Sequence, residues 1–440
     1  MAGLPPASTA AGASGSPAAP LQPLKGAKLT LGILCFVYVL NFLDRQLLSI
    51  LAKPIQDDLG VTDGQLGMIG GLYFALFYCI LAIPVGFLAD RTNRVRVLGL
   101  ACGLWSAATM ACGMSANYAQ LVVARMTVGV GEAGGVPPSY AIISDYFPPG
   151  RRGAALSLFN LGPPIGQALG VAFGAAIAAA YSWRAAFLFL GAVGIVAALV
   201  VLFAVREPVR GGLDPPRAPD APPRSGFWET VRMFFSTPSL ALIAAGGAVT
   251  QIVTYGSGNF TTLLLIREKG MTLEEVALWY AIVVAVGMGG GIYASGRVLD
   301  RGVRRTQAAY ATIPALTLAL AVVPYLGFVW APTWPLALLL LLGPTFLNYF
   351  YLSSCVTFVQ EKVAPEQRVL SGSLLLLVMN LTGMGVGPTF VGAVSDALKA
   401  GHPENSLQLA FYALTPFYGL AILLFVILAG VLRRDERSAA

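Results

Sequence analysis

Charge is scarce in this 440-residue chain: Asp, Glu, Lys and Arg together make up 11% of it, against roughly 25% in soluble domains. Histidine is scarcer still, a single residue, His402, in a polar loop. That shortage removes most metal sites and histidine-based catalytic arrangements, so neither a metal nor enzymatic chemistry is expected. The five cysteines (Cys35, Cys79, Cys102, Cys112 and Cys355) fall inside apolar runs and form no CxxC pair, which indicates neither a disulfide framework nor a zinc site. Residues 1–24 are mostly Ala, Pro, Ser and Gly, without a basic segment leading into an apolar stretch. No secretory signal is read there, and residues 1–28 are expected to be a disordered cytoplasmic tail.

What the chain does have is apolar surface. Hydrophobic residues make up 56% and the mean hydropathy is +0.73, more than one interior can bury, so much of it must face lipid. Fifty glycines and 29 prolines would break helices in water but are tolerated in membrane helices, where small residues let backbones approach. A span of a ~30 Å hydrocarbon core takes about 20 residues. Twelve such runs are read near 29–51, 65–88, 96–115, 118–142, 153–179, 185–205, 238–264, 274–297, 306–328, 334–359, 368–394 and 407–431. The expected fold is all-α and integral to the membrane. It has a six-helix bundle at 29–205, a cytoplasmic linker at 206–237, a second bundle at 238–432 and a tail at 433–440.

The net charge of +7 does not indicate nucleic acid, because the basic residues cluster in short loops rather than on one face or in a tail. With both termini inside, the cytoplasmic loops hold 21 of the 28 basic residues and the outer loops five, with Arg45 and Arg125 inside the membrane. The positive-inside rule favours that orientation, and a multi-pass protein of a bacterial inner membrane is expected. The halves also repeat. Gly86-Phe-Leu-Ala-Asp90-Arg91 matches Gly296-Arg-Val-Leu-Asp300-Arg301 at an offset of 210 residues. Duplication of a six-helix unit is a mark of secondary transporters.

The stretch 86–96, GFLADRTNRVR, resembles the loop motif between helices two and three of the major facilitator superfamily. Arg125-Met-Thr-Val-Gly129-Val-Gly-Glu132 resembles its fourth-helix motif, and Gly162-Pro-Pro-Ile-Gly166-Gln-Ala-Leu-Gly170 its fifth. Trp183-Arg184-Ala-Ala-Phe187 resembles the start of helix six. The likeness covers residues 28–432 and implies the two-bundle major facilitator fold. A narrower resemblance, through Asn41-Phe-Leu-Asp44-Arg45 and Gly131-Glu132-Ala133, is to the spinster branch, whose members are linked to proton-coupled movement of lysophospholipids and sphingolipids. Organic-anion transporters of the superfamily have a similar first helix.

Asp44 and Arg45 lie about 15 residues into helix one, near the bilayer midplane at ~1.5 Å per residue. A charge at that depth costs roughly 2.5–3.5 kcal/mol on insertion scales and marks ion or substrate pathways by default. Adjacent helical residues point about 100° apart, so each is expected to reach a different partner. Arg125, Gly129 and Glu132 share one face of helix four, and Gly129 leaves a gap for a neighbouring helix. A neutral network of Asp44 and Glu132 against Arg45 and Arg125 is expected, since a low-dielectric interior permits nothing else. Only the acids can carry a coupling proton, with Asp44 favoured over Glu132. Arg45 and Arg125, with Asn41 and Tyr38, would be substrate or charge partners. Tyr73, Phe77, Tyr255, Asn259, Asn348 and Tyr349, with Ser353, are candidates for a mixed aromatic and polar cavity lining.

Gly86, Asp90, Arg91, Arg94, Asp300 and Arg301 read as a cytoplasmic gate. Asp90 would accept hydrogen bonds from a helix N-terminus across the two halves, and the arginines would bridge to acids there; the superfamily resemblance implies that this latch closes the cytoplasmic side. The leading functional reading is a monomeric carrier of a lysolipid or similar amphipathic anion, with protons as the coupling ion and no cofactor. The alternative is a facilitator or antiporter of a small organic anion, with Arg45 and Arg125 binding the anion. A channel lacks its charge ring or filter loop.

Overall fold

In lipid, every backbone N–H and C=O must be paired within the segment, so long apolar runs close into helices. The computed structural model of the chain describes residues 22–213, 226–364 and 367–439, and no strand occurs among them. Residues 1–21 of the expected tail and 214–225 of the expected linker lie outside the described residues.

Spans 1 to 6 are Ala27–Ile50, Asp63–Arg91, Arg94–Gly113, Tyr118–Glu132 with Val136–Tyr146, Arg152–Ala180 and Trp183–Ala204. Spans 7 to 12 are Pro238–Arg267, Leu273–Val303, Ala309–Trp330, Trp334–Lys362, Arg368–Lys399 and Ser406–Tyr412 with Thr415–Ala439. Eleven of the twelve are long and apolar enough to cross a bilayer. Span 4 is the exception. A turn at residues 133–135 breaks it beside Glu132, and Pro137 and Pro138 open its second piece, where the missing N–H costs nothing.

Several helices outrun their hydropathy. Spans 2, 8 and 11 continue to Arg91, Val303 and Lys399, past the apolar limits at 88, 297 and 394, with Arg91, Arg301 and Lys399 in their last turns. Cations there complement the exposed carbonyls of a helix C-terminus. Two short helices, Ala52–Leu59 and Phe227–Ser236, occupy stretches read as loop and linker.

Helix starts follow from side-chain caps. Asn93, Asn117 and Ser182 accept from the N–H three residues on, at 2.7, 3.0 and 3.1 Å. Thr62 with Gln65 and Thr272 with Glu275 form capping boxes.

The two halves reuse one design. Glu207, after span 6, accepts from the N–H groups of Arg94 and Val95 at the start of span 3 (3.1 and 2.9 Å). Glu436, late in span 12, likewise accepts from Thr306 Oγ1 (2.9 Å) and the Gln307 N–H before span 9. Within each half the glycines set close packing. A Cβ on Gly166 would stand 2.4 Å from the Val39 carbonyl oxygen, and one on Gly170 2.8 Å from Gln46. The Gly162–Gly166–Gly170 stripe therefore holds span 5 directly against span 1.

Contact between halves is one-sided. Call the face carrying Lys28, Arg94, Arg301 and the end of span 12 the basic face. Spans 2 and 11, and spans 5 and 8, meet in the portions far from it. At the basic face, segments Arg152–Phe159 and Gly290–Val303 pack mainly within their own halves. The molecule is closed at the far face and parted at the basic one.

Candidate functional site

Asp44 and Arg45 do point apart, and their partners come from spans 3 and 4. Arg45 Nε donates to Glu132 Oε2 at 2.6 Å, with Glu132 sealed and the Arg45 side chain 14% exposed. Arg125 Nη1 lies 3.7 Å from Asp44 Oδ1, both side chains buried. That separation is ion-pair contact, longer than a hydrogen bond. The pairing is crossed, each helix giving one acid and one arginine. A Cβ on Gly129 would stand 3.0 Å from the Phe74 carbonyl oxygen, so span 2 occupies the gap this glycine leaves.

The network is poorly saturated for its burial. Asp44 Oδ1, Glu132 Oε1, Asn41 Oδ1 and Arg125 Nε and Nη1 have no hydrogen-bond partner among the described residues. Native interiors pair most such atoms, and each exception calls for a reason. The other Asp44 oxygen accepts from Thr109 Oγ1 at 2.6 Å, and Thr109 also reaches the Trp105 carbonyl oxygen at 2.9 Å.

Aromatic rings surround the guanidinium that remains partly open. Arg45 stands 4.9, 5.3 and 4.7 Å from the ring centroids of Phe42, Phe74 and Tyr78, a cation–π environment. Tyr255 of span 7 is close enough to interact with Arg45, and Tyr349 of span 10 with Tyr255. Tyr38 stacks on Phe159 at 4.3 Å, and Tyr140 donates to Asn160 Oδ1 at 2.6 Å.

Other candidates fall elsewhere. Phe74 and Tyr78, one residue on from the expected Tyr73 and Phe77, are the span 2 aromatics against the arginines; Tyr73 stands near Tyr118 of span 4. Asn259 belongs to the closed far face, where its carbonyl accepts from Ser49 Oγ at 2.8 Å. Asn348 is buried in the second bundle and exchanges hydrogen bonds with the Tyr418 hydroxyl at 2.8 and 3.2 Å. Ser353 pairs with Ser295 of span 8 at 2.7 Å. Each is held by its own bundle or the seal.

The expected latch at Asp90 is not formed across the halves. Asp90 is 71% exposed and pairs with Arg94, four residues on, at 3.2 Å; Arg94 also binds Asp145 at 2.6 Å. Arg91 stacks on Phe87 at 3.9 Å, a Cβ on Gly86 would meet open space, and Asp300 and Arg301 are exposed. With the basic faces apart, these groups have no opposite half to reach. The cross-half cap is at the far face instead. There Asp396 accepts from the N–H groups of Asp63 and Gly64 (3.1 and 2.8 Å), the first residues of span 2. Asp63 in turn binds Arg267 Nη1 at 2.9 Å and accepts from Ser395 and Gln56 at 2.6 Å each. Glu268, just beyond span 7, accepts from the N–H groups of Leu407 and Gln408 at 2.9 Å each, and burial still pushes its carboxyl above the usual range.

Two repeated bundles touching at one face, with opposed charges buried inside the first, define a transporter and not an enzyme. The chain belongs to the Major Facilitator Superfamily, which it matches over residues 34–382. It is 34% identical to an MFS-type efflux pump of Mycolicibacterium smegmatis over 371 residues, 83% of this chain and 84% of that one. Human protein spinster homolog 1 is 26% identical over 408 residues, 86% of this chain and 75% of that protein. A solved bacterial homolog of the human lysosomal transporter Spinster, inward-facing and unoccupied, superposes with a TM-score of 0.86 at 28% identity, covering 93% of this chain and 98% of that one. Within the superfamily, these relatives place the chain with the spinster branch.

Proposed function

We propose a proton-coupled carrier that moves an amphipathic anionic or zwitterionic substrate, such as a lysophospholipid or sphingolipid, by alternating access. Both termini and the basic face lie in the cytoplasm of a bacterial inner membrane. The 21-to-5 asymmetry of basic residues supports that orientation, and the mycobacterial relative supports that location. The state described above is then open to the cytoplasm.

The observation that carries the proposal is the crossed, undersaturated ion pairing of Asp44, Arg45, Arg125 and Glu132. A buried carboxylate whose arginine withdraws cannot persist as a lone charge, and a proton is the cheapest compensation. Arg45 is the member of the network whose side chain stays partly exposed, at 14%. An incoming phosphate or carboxylate that takes its guanidinium in paired hydrogen bonds competes with Glu132; Arg125 is then the one counter-charge left for two acids, and a proton on one of them restores neutrality. Asp44 carries the proton and Glu132 stands second. Thr109 fits both protonation states. Its single hydroxyl proton goes to an ionised Asp44, or turns to the Trp105 carbonyl while Thr109 Oγ1 accepts from the protonated acid.

The first test is uptake of a labelled lysophospholipid into proteoliposomes, with and without a pH gradient, for wild type and Asp44→Asn. Uptake driven by the gradient and at least tenfold lower in the variant is expected. Equal uptake by both would overturn the assignment. The Nε and Nη1 of Arg125, which make no hydrogen bond among the described residues, favour a second reading, a small organic anion held by Arg45 and Arg125. On that reading, transport of the anion proceeds without a pH gradient.

A further inference from the structure

Away from the central network, spans 1 and 6 leave a cleft of about 570 Å³ on the outer wall of the first bundle. Leu29, Gly32 and Phe36 form one side and Val193, Val196 and Val200 the other, with Lys28 at its end on the basic face. Apart from Lys28, its lining is apolar. Gly32 opens it, since a Cβ there would meet nothing within 4 Å, and Leu29, Phe36 and Val196 are 63, 49 and 60% exposed. From Lys28 to Phe36 the cleft runs eight residues, about 12 Å at ~1.5 Å per residue. That is most of one leaflet's share, roughly 15 Å, of a ~30 Å core. The cleft is as deep as one acyl layer and ends at the headgroup level.

The groups at that end are cationic. Tyr146 keeps the ends of the two spans together: its carbonyl accepts from the Leu24 N–H at 3.0 Å, and its hydroxyl donates to the Arg206 carbonyl at 2.8 Å. Lys25, Lys28 and Arg206 thus lie at the same end of the bundle, all exposed, and none is paired with a carboxylate among the described residues. The nearest acid in sequence, Glu207, is already engaged as the cap of span 3.

We propose that this cleft binds an anionic phospholipid of the leaflet at the basic face. One acyl chain lies along Gly32 between spans 1 and 6, and the phosphate is held by Lys28 with Lys25 and Arg206. Basic residues beside a membrane surface attract anionic headgroups, and a chain filling the cleft removes apolar wall from disordered lipid contact. The site is separate from the carrier's central network and does not depend on what is transported. It also bears on span 1 within eight residues of Asp44.

Native mass spectrometry of the detergent-purified full chain tests the assignment, with phosphatidylglycerol and phosphatidylcholine of matched chains added in equal amounts. Wild type should retain one phosphatidylglycerol at least fivefold over phosphatidylcholine. Lys28→Gln should cut that preference at least threefold. Gly32→Leu, which fills open space, should abolish the tightly held lipid without lowering the melting temperature. Val196→Trp fills the cleft from the opposite wall and should do the same, so a folding defect in either variant does not decide the matter. Equal retention of the two lipids by wild type, or full retention by a folded cleft-filling variant, would overturn the proposal.

Discussion

An arginine and a carboxylate at mid-membrane depth are tolerated only as partners, so each side chain's role is set by what else it can reach. Arg45 has Glu132 and three rings and keeps 14% of its side chain exposed; Arg125 is buried, with Asp44 at a longer distance and the Phe74 ring at 5.4 Å. On the proposed function, the first meets the substrate and the second steadies the acid. Thr109 is the residue whose replacement separates these tasks. Thr109→Val keeps the shape of the site but removes the hydroxyl that bonds Asp44, so it should alter the pH profile of uptake. Comparing that profile with wild type checks the prediction, and an unchanged profile counts against a proton on Asp44. The four charges were legible in the sequence because such residues are rare in apolar spans and lipid gives them no other use. Thr109 was not, since hydroxyls are ordinary in membrane helices and bond their own backbone. Phe74 and Tyr78 were missed for a different reason. They differ from Tyr73 and Phe77 by 100° of helix rotation, and that rotation is decided by packing against spans 4 and 11.

Helices meet here through backbone proximity rather than through large interlocking side chains. Gly166 and Gly32 show the contrast within one helix pair. A side chain at Gly166 collides with the Val39 carbonyl; Gly166→Leu should destabilise the first bundle by roughly 1–3 kcal/mol or more, read as a lower melting temperature in detergent. The far-face seal is the second element-level device. Asp396→Asn keeps an acceptor but loses the charge that the N-terminus of span 2 attracts. A cysteine placed at Ser49, which donates to the Gly258 and Asn259 carbonyls, should then react severalfold faster with a membrane-impermeant maleimide. Unchanged reactivity would mean that Asp396 does not hold the seal. A charged cap joining the halves was foreseeable in kind, but its place was not. Asp90 carries the recognisable motif, whereas Asp396 looks like an ordinary end-of-helix acid. A gate alternates between faces, and the sequence does not say which face a given state closes.

At the scale of the molecule, the repeat does what a single bundle cannot. Two units joined by a linker, each stabilised internally by its own caps and glycine contacts, can rock without either being unpacked. The span count, the halves and the repeat at Asp90 and Asp300 were readable because hydropathy and loop charge answer to the bilayer itself. Span 4 was read as one run at 118–142, and the break at residues 133–135 that splits it into two shorter helices was not visible in its hydropathy. Among the described residues, acids and arginines reach the midplane in the first bundle, while the second faces them with Tyr255 and Tyr349. Coupling therefore rests on whether the charge network trades a proton for substrate. The direct measurement is proton movement itself. Protein is reconstituted with a pH-sensitive dye inside the vesicles, and lysophospholipid is added outside with no gradient imposed. A substrate-dependent pH change is expected in wild type and none in Asp44→Asn, with folding preserved. Lysophospholipid accumulating in wild-type vesicles without any pH change would contradict proton coupling.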